Sequence, residues 1–577
     1  FFFTHPYLGL IMAFFAGVYW VVRIIVERKK KGRWLKISTN IVVQVFLPLL
    51  LFQLLVTMND THVDRPNNPA GFFFYYGNWK SFLVAHDGPL NTVIQWFGIK
   101  LAKWESWNYI GLSTMVFGAV SLAWFYKKRK SLYLRGIIRS ELFSFFVAAY
   151  LILIFSFCFP FKFDFMHWFV DLFGPLKQFR VLGRFGWIFF HVGVVFTIIV
   201  LSRIKGRSEK PMRFEFLFYA GILFYVVESY PVHNRLKDVV STQKNEFRSE
   251  FLSADQKQII EHINSEDYDA ILFLPFQHMS SENIMIVGQE GALHQACVLS
   301  YHTQTPLLNS LTSRMSLSES EQFNNFFAPE FIDKELCKTI GYDKNICLVK
   351  GAQPLNINEL RMLWASEMIL ENDSYKVFDF QLSKWNDPKY YHEVLNHRDS
   401  AKFKKNGWSS SEKNVWFVYD SFNDHDAVEV LDGEGALQGE KESVVTIHSL
   451  DCANIKPGLY LASFWFYYPI DRPDVTAYAE LVYSNDEKPS WESGYNIFAS
   501  NHIVDGWCHV EMEFEVKKNT ETVNILLTGN GSGKPYIVDE LLIREANGPK
   551  LFREMEYKGE KYLNYNNHLL HSNSFQN

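Results

Sequence analysis

Cysteine is scarce in this chain: six in 577 residues, with no CxxC pair and no Cys/His spacing of a metal-ligand set. That excludes a disulfide-dense scaffold and a zinc-ribbon type of site. Cys337 with Cys347, and Cys452 with Cys508, are the pairs open to bridging in an oxidising compartment, free buried thiols being the alternative. A basic n-region is also missing. The chain opens Phe1-Phe2-Phe3-Thr4-His5-Pro6, unlike a signal peptide, and reads as starting mid-protein. Net charge is only −5, too little to imply a nucleic-acid partner. There is no internal repeat and no low-complexity run. The Gly529–Gly533 stretch follows a strand pattern but precedes no helix, so it reads as a hairpin turn rather than a phosphate loop. No Ser/His/Asp elbow motif can be assembled.

What is abundant is aromatic and apolar. Phe, Trp and Tyr make up 17% of the chain, and much of the Phe lies in six apolar segments: 7–26, 39–58, 109–126, 141–160, 185–202 and 214–230. Each is near the length one helix needs to cross the hydrocarbon layer. The connections alternate in charge. Arg28 to Lys36, Lys127 to Arg139 and Arg203 to Arg213 are dense in Lys and Arg, whereas the other connections are long and aromatic. The basic turns therefore face the cytoplasm, and everything after about Pro231 lies on the other side. The crossings lack paired charges and broken-helix signals, which argues against a transporter.

The expected architecture is a membrane α-helical bundle of six crossings (1–231), an extracytoplasmic α/β domain (232–425), a β-sandwich of jelly-roll type (426–545) and a polar tail along the surface (546–577). Segment 232–253 reads as a linker or surface helix. The run Ala270–Pro275 reads as a strand covered on both faces, and helical patterns recur at 256–263, 319–340 and 357–371. From Asp426, eight short alternating stretches separated by Gly, Pro, Asn and Asp suggest two packed sheets.

Three places carry candidate chemistry. The loop Asn59–Trp107 holds Asp60, Asp64 and Asp87 with His62 and His86, suited to base or metal-ligand roles or simply to solvation. No particular metal is assigned, and a divalent cation is left open. The stretch 161–184 contains an amphipathic segment, Asp164–Phe173, followed by Lys177, Arg180 and Arg184, cations on the side where the charge rule does not call for them. Arg matches phosphoryl oxygens bidentately, so a lipid phosphate is one reason for them; snorkelling or ion pairs with Asp164 and Asp171 is the other. In the sandwich, one face of the Gly458–Tyr468 strand must be core. The other would present rings to solvent, making Trp465, Tyr467, Trp491 and Trp507 a stacking platform for sugars unless they too are core.

The segments Trp104-Glu105-Ser106-Trp107-Asn108-Tyr109-Ile110-Gly111-Leu112 and Gly174-Pro175-Leu176-Lys177-Gln178-Phe179-Arg180-Val181-Leu182-Gly183-Arg184-Phe185, each opening a crossing, carry a resemblance. Over residues 1–420 the chain resembles bacterial multi-spanning proteins of the GT-C glycosyltransferase type, YfhO-like and mannosyltransferase-like members among them. The resemblance implies sugar transfer from a polyprenyl-phosphate donor at the outer face of the bacterial cytoplasmic membrane, with Arg180 and Arg184 near the donor phosphate. It also implies a catalytic acid in the first outer loop. No acidic residue precedes the first segment, leaving Asp60, Asp64 or Asp87, or a non-catalytic relative that anchors a glycan- or protein-binding scaffold. The sandwich is similar to jelly-roll carbohydrate-binding modules, which implies an envelope glycan or protein as partner.

Overall fold

The computed structural model describes the chain except residues 1–4, 28–31, 63, 66–70, 87, 102–103, 128–139, 173–178, 206–210, 280–283, 285, 287–290, 313–314, 440–443, 468–476, 486–487, 530–535, 573 and 575–577. Its backbone contacts divide it into two units, residues 1–63 with 67–244, and 64–66 with 245–577.

The first unit is helical. Its long helices are α1 (Pro6–Glu27), α2 (Arg33–Asn59, with a π turn at Val42–Phe46), α3 (Leu112–Lys127), α4 (Glu141–Ser156), α5 (Gly186–Lys205) and α6 (Pro211–Thr242). α4 packs on α1 and α5, and α5 also meets α3. Small residues, Ala148 and Ala149 on α4, let Phe15, Phe155 and Phe185 close around them. α2 behaves differently: Phe46, Leu50, Leu51, Leu54 and Met58 are all exposed. An apolar helix face left uncovered among the described residues suits a lipid solvent.

Among the described residues, three helical stretches are long and apolar enough to cross a membrane: Pro6–Glu27, Arg33–Asn59 and Leu182–Ser202. The six expected crossings are thus confirmed only as several apolar helices. α3 and α4 have 16 residues each, about 24 Å at ~1.5 Å per residue, short of a hydrocarbon core of about 30 Å. Segment 232–253, expected as a linker or surface helix, is helix as far as Thr242, continuing α6 through Pro231. One expectation needs correction. Paired charge exists within a crossing, since Arg23 and Glu27 form a buried i,i+4 pair on α1 that Arg33 joins.

The second unit begins with an α/β layer. β1 (Ala270–Leu274) is parallel to β2 (Asn345–Lys350), and β3 (Glu367–Glu371) and β4 (Lys376–Gln381) complete a sheet in the order β1-β2-β4-β3. Both faces of β1 are buried, as its unbroken apolar run requires. The helix expected over 357–371 ends at Trp364, and its second half is strand β3. The helical pattern at 319–340 is two helices, Leu317–Asn325 and Glu335–Ile340.

Short strands β5 (Phe403–Lys405), β6 (Trp408–Ser410) and β7 (Phe417–Asp420) lead into the β-rich region. It contains β8 (Leu437–Gly439), β9 (Val444–Asp451), β10 (Gly458–Tyr467), β11 (Ala477–Asn485), β12 (Lys488–Asn496), β13 (Ile503–Val504), β14 (Trp507–Val516), β15 (Thr522–Gly529) and β16 (Tyr536–Glu545). The sheet β8-β16-β10-β14-β13, with β7 beside β16, faces the sheet β9-β15-β11-β12. Phe464, Phe466, Val510, Phe514, Leu481 and Ile525 fill the space between them, giving a β-sandwich.

The expected polar tail is instead structured. β17 (Leu551–Tyr557), β18 (Glu560–Tyr565) and β19 (His568–His571) form a meander in the order β19-β18-β17-β6-β5. Its Met555, Tyr557 and Leu569 bury the second face of the larger sandwich sheet. β16 is accordingly buried along nearly its whole length.

The cysteines are unbridged. Cys337 packs under one face of the α/β sheet with Leu348, whereas Cys347 points to the other face with Val349, so alternation along β2 separates them. Cys452 and Cys508 share the sandwich core but remain free thiols.

Two consecutive carboxyls lie within buried β16. Burial, then the neighbouring Glu540, pushes Asp539 up to about 8, although it accepts the Leu431 amide at 2.9 Å. Burial raises Glu540 to about 7 against the opposing pull of Arg553. The folded chain therefore keeps protons that the unfolded chain has lost, so stability falls as pH rises from ordinary carboxyl values through these raised ones. The buried histidines of this unit act in the opposite sense, so the expected result is a difference: the urea midpoint of Asp539→Asn gains on that of the wild type as pH rises between about pH 5 and about pH 8. A difference that stays constant over that range contradicts the assignment.

Candidate functional site

In the first unit the two motifs that open α3 and α5 lock together. The Arg184 guanidinium donates to Glu105 in a fork: Nε to Oε2 at 2.9 Å, Nη2 to Oε1 at 2.9 Å and Nη2 to Oε2 at 2.7 Å. Asn108 donates to the Gly183 carbonyl at 2.9 Å. Gly183 is required for this approach, because a Cβ there would lie 2.7 Å from that of Ser106. Arg184 is thus a clamp between two loops, which corrects its expected role as a phosphate ligand: its fork is already filled by a carboxylate. Arg180 is half-buried, and Lys177 lies outside the described residues.

The described candidate acids belong to different units. Asp60 accepts the His62 amide at 3.3 Å in a local turn at the end of α2. Asp64 belongs to the second unit, where it accepts the Ser318 amide at 2.7 Å. Asp87 lies outside the described residues.

Polar groups converge instead on a cavity of about 300 Å³ at the ends of α3, α5 and α6, lined among others by His86, Trp107, Tyr109, Glu228 and His233. Glu228 on α6 accepts the Leu112 amide at 3.1 Å to each oxygen, and also the Tyr109 hydroxyl. A carboxylate at the start of α3 is where the helix favours negative charge. Gly111, with φ of 85°, makes the turn that presents this amide. His86 stacks flat on Trp107, centroids 4.9 Å apart, and its Nδ1 is buried without a hydrogen-bond partner. Burial holds the His86 imidazole below its usual pKa.

Two apolar clefts adjoin this cavity. One, about 270 Å³, shares Ile110 with it and is walled by Phe82, Met115, Phe146 and Phe196. The other, about 240 Å³, shares Tyr225 and is walled by Phe117, Ile198 and Ile222. The signal for Glu228 in the sequence is that it is the one charged residue in the apolar run 216–230.

The expected aromatic platform of the second unit is not presented to solvent. Trp465 and Trp507 are both 0% exposed, because the β17–β19 meander covers the face they occupy. Tyr467 is half-buried on Trp507, centroids 5.1 Å apart. Trp491 lies in β12, with its side chain outside the described residues. The same covered face holds His502, His509 and His568, all buried, whose ligand atoms lie within 4.8 Å of one another. Burial drives His502 down to about 3, and His509 and His568 well below the usual range. His502 and His509 flank one tight turn, whereas His568 comes from the distant meander, so no local spacing announces all three.

Residues 1–224 match the family described as "Domain of unknown function (DUF6311)". No curated protein matches the chain. Solved structures similar to it include the C-terminal family 22 carbohydrate binding module of Clostridium thermocellum Xyn10B, at 9% identity and TM-score 0.17, covering 25% of this chain and 88% of that one. Another is the CBM22-1 xylan-binding domain of Paenibacillus barcinonensis Xyn10C, at 13% identity and TM-score 0.17, with the same coverages.

Proposed function

We propose that the chain is a membrane glycosyltransferase-like protein that handles a polyprenyl-phosphate-linked sugar at the outer face of the bacterial cytoplasmic membrane. The observation that carries this reading is the polar cavity of His86, Tyr109, Glu228 and His233 adjoining two apolar clefts between helices. A lipid-linked sugar has that division of polarity: the isoprenoid chain suits the aromatic clefts and the head group suits the cavity. In this reading all six apolar segments cross, the 16-residue α3 and α4 by local thinning of the bilayer, the basic turns are cytoplasmic, and the second unit is extracytoplasmic and meets an envelope glycan or protein acceptor.

Glu228 and His86 take the place of the loop aspartates as the candidate base, and Arg180 is the cation assigned to the lipid phosphate. A base beside an acceptor hydroxyl would assist attack on the anomeric carbon. One observation favours a second reading. The Glu228 carboxylate is fully engaged in capping α3, which suits a protein that binds the lipid-linked sugar as a scaffold subunit without turning it over.

The test is turnover of synthetic polyprenyl-phosphate sugars by the full chain in vesicles. Donor consumption is expected, reduced at least ~100-fold by Glu228→Gln and by His86→Ala. Tight donor binding without turnover selects the scaffold reading. Neither binding nor turnover overturns both.

A further inference from the structure

We propose that His502, His509 and His568 form a three-imidazole site for a divalent metal of the zinc class, with an open coordination position that takes an oxyanion. Local structure explains the convergence. Asp505 and Gly506, both at positive φ (52° and 86°), make the tight turn between β13 and β14. The ladder continues past Ile503, with the His509 amide donating to the His502 carbonyl at 2.9 Å, so the two histidines oppose each other across the hairpin. His568 starts β19, in the meander that covers this face. A metal here would tie the sandwich sheet to the meander.

The geometry is close to that of a coordination sphere. His502 Nδ1 and His568 Nδ1 are 3.1 Å apart. Two imidazoles on one tetrahedral zinc have nitrogens about 3.3 Å apart, given bonds of about 2.0–2.1 Å. His509 Nε2 is buried with no hydrogen-bond partner. Such an atom is costly unless something binds it.

The surrounding groups resemble those that orient metal-bound histidines. His568 Nε2, the nitrogen turned away from His502, lies 3.9 Å from Glu511 Oε2. A carboxylate so placed can fix the tautomer and the ring plane of a metal-bound imidazole. Neutral imidazoles without thiolates suit zinc, copper, nickel or iron rather than calcium or magnesium.

Three protein ligands leave a position open, as in catalytic rather than structural zinc sites. The histidines line a cavity of about 380 Å³ that also receives Arg361, Arg544, Lys550, Glu330 and Glu511. Three cations against two carboxylates, with a dication added, favour an anion at the open position.

The experiment uses the full chain in detergent with Co²⁺ and Zn²⁺ alone as probes. The expected result is one Co²⁺ per chain with the intense visible bands of a four-coordinate nitrogen site, displaced stoichiometrically by Zn²⁺. Glu511→Gln, which keeps side-chain volume, should weaken Co²⁺ binding about 10–100-fold, and His509→Gln at least as much. Zn²⁺ should raise the melting midpoint of the wild type by about 5 °C and leave that of His509→Gln unmoved. Acetate or phosphate should shift the Co²⁺ bands, with the shift reduced in Lys550→Ala.

The chain has 18 histidines, so surface binding is the competing outcome. Weak six-coordinate Co²⁺ spectra in the folded wild type, or no binding, overturn the metal site even where a variant fails to fold. Four-coordinate bands that neither anion shifts overturn the oxyanion position.

Discussion

Trp465→Ala will destabilise the second unit by about 3–5 kcal/mol. Trp465 is 0% exposed in the middle of β10, opposite His509 on one side and Asp539 on the other. Its indole N–H donates to the Asn567 carbonyl at 2.9 Å, and Met555, Trp507 and Leu569 pack in the same cluster. Truncation would therefore open a cavity between the sandwich and its covering meander and orphan the carbonyl. Trp465→Phe keeps most of the packing and should cost less, near the ~1 kcal/mol of a single hydrogen bond plus a small void. A solvent-facing sugar platform would behave otherwise, with Trp465→Ala nearly neutral, within ~0.5 kcal/mol, in a urea titration.

Arg184→Ala will destabilise the first unit by about 2–3 kcal/mol, a value lowered from that of a fully buried pair because Arg184 is partly exposed. The side chains of Arg184 and Glu105 are 28% and 11% exposed, so removing the guanidinium strands a largely buried carboxylate. Adding Glu105→Ala should restore part of the loss, with a coupling energy of about 1–3 kcal/mol in a double-mutant cycle measured by detergent-solubilised unfolding. If Arg184 were chiefly a phosphate ligand, its loss would leave stability unchanged and the cycle would show no coupling.

The parts of the fold legible in the sequence were those set by local periodicity. The unbroken apolar run at Ala270–Leu274 is a strand buried on both faces, and Ser253 with Gln256 forms a capping box where the helical pattern began. The alternation of β10, β14 and β15 gave the sandwich its strands. The meander was hidden because charged Arg553, Glu554 and Glu556 dilute Leu551, Phe552, Met555 and Tyr557, so a half-buried strand resembles a polar tail. Missing that layer also turned Trp465 and Trp507 outward, since nothing in β10 or β14 tells which element covers their second face. The Glu105–Arg184 clamp joins residues 79 apart and the histidine cluster joins His502 to His568, 66 apart, separations that no spacing rule reaches.

Membrane association rests on the uncovered apolar surface of α2. The claim that the first unit receives a lipid-linked sugar is tested most directly by photocrosslinking a diazirine-bearing polyprenyl phosphate to the full chain in vesicles and mapping the labelled peptides. The account predicts adducts on residues lining the cavity and its clefts, among them Trp107, Ile110, Met115, Tyr225 and Phe189, suppressed by excess unlabelled polyprenyl phosphate. Adducts confined to the exposed face of α2, or labelling that excess lipid does not suppress, would contradict it.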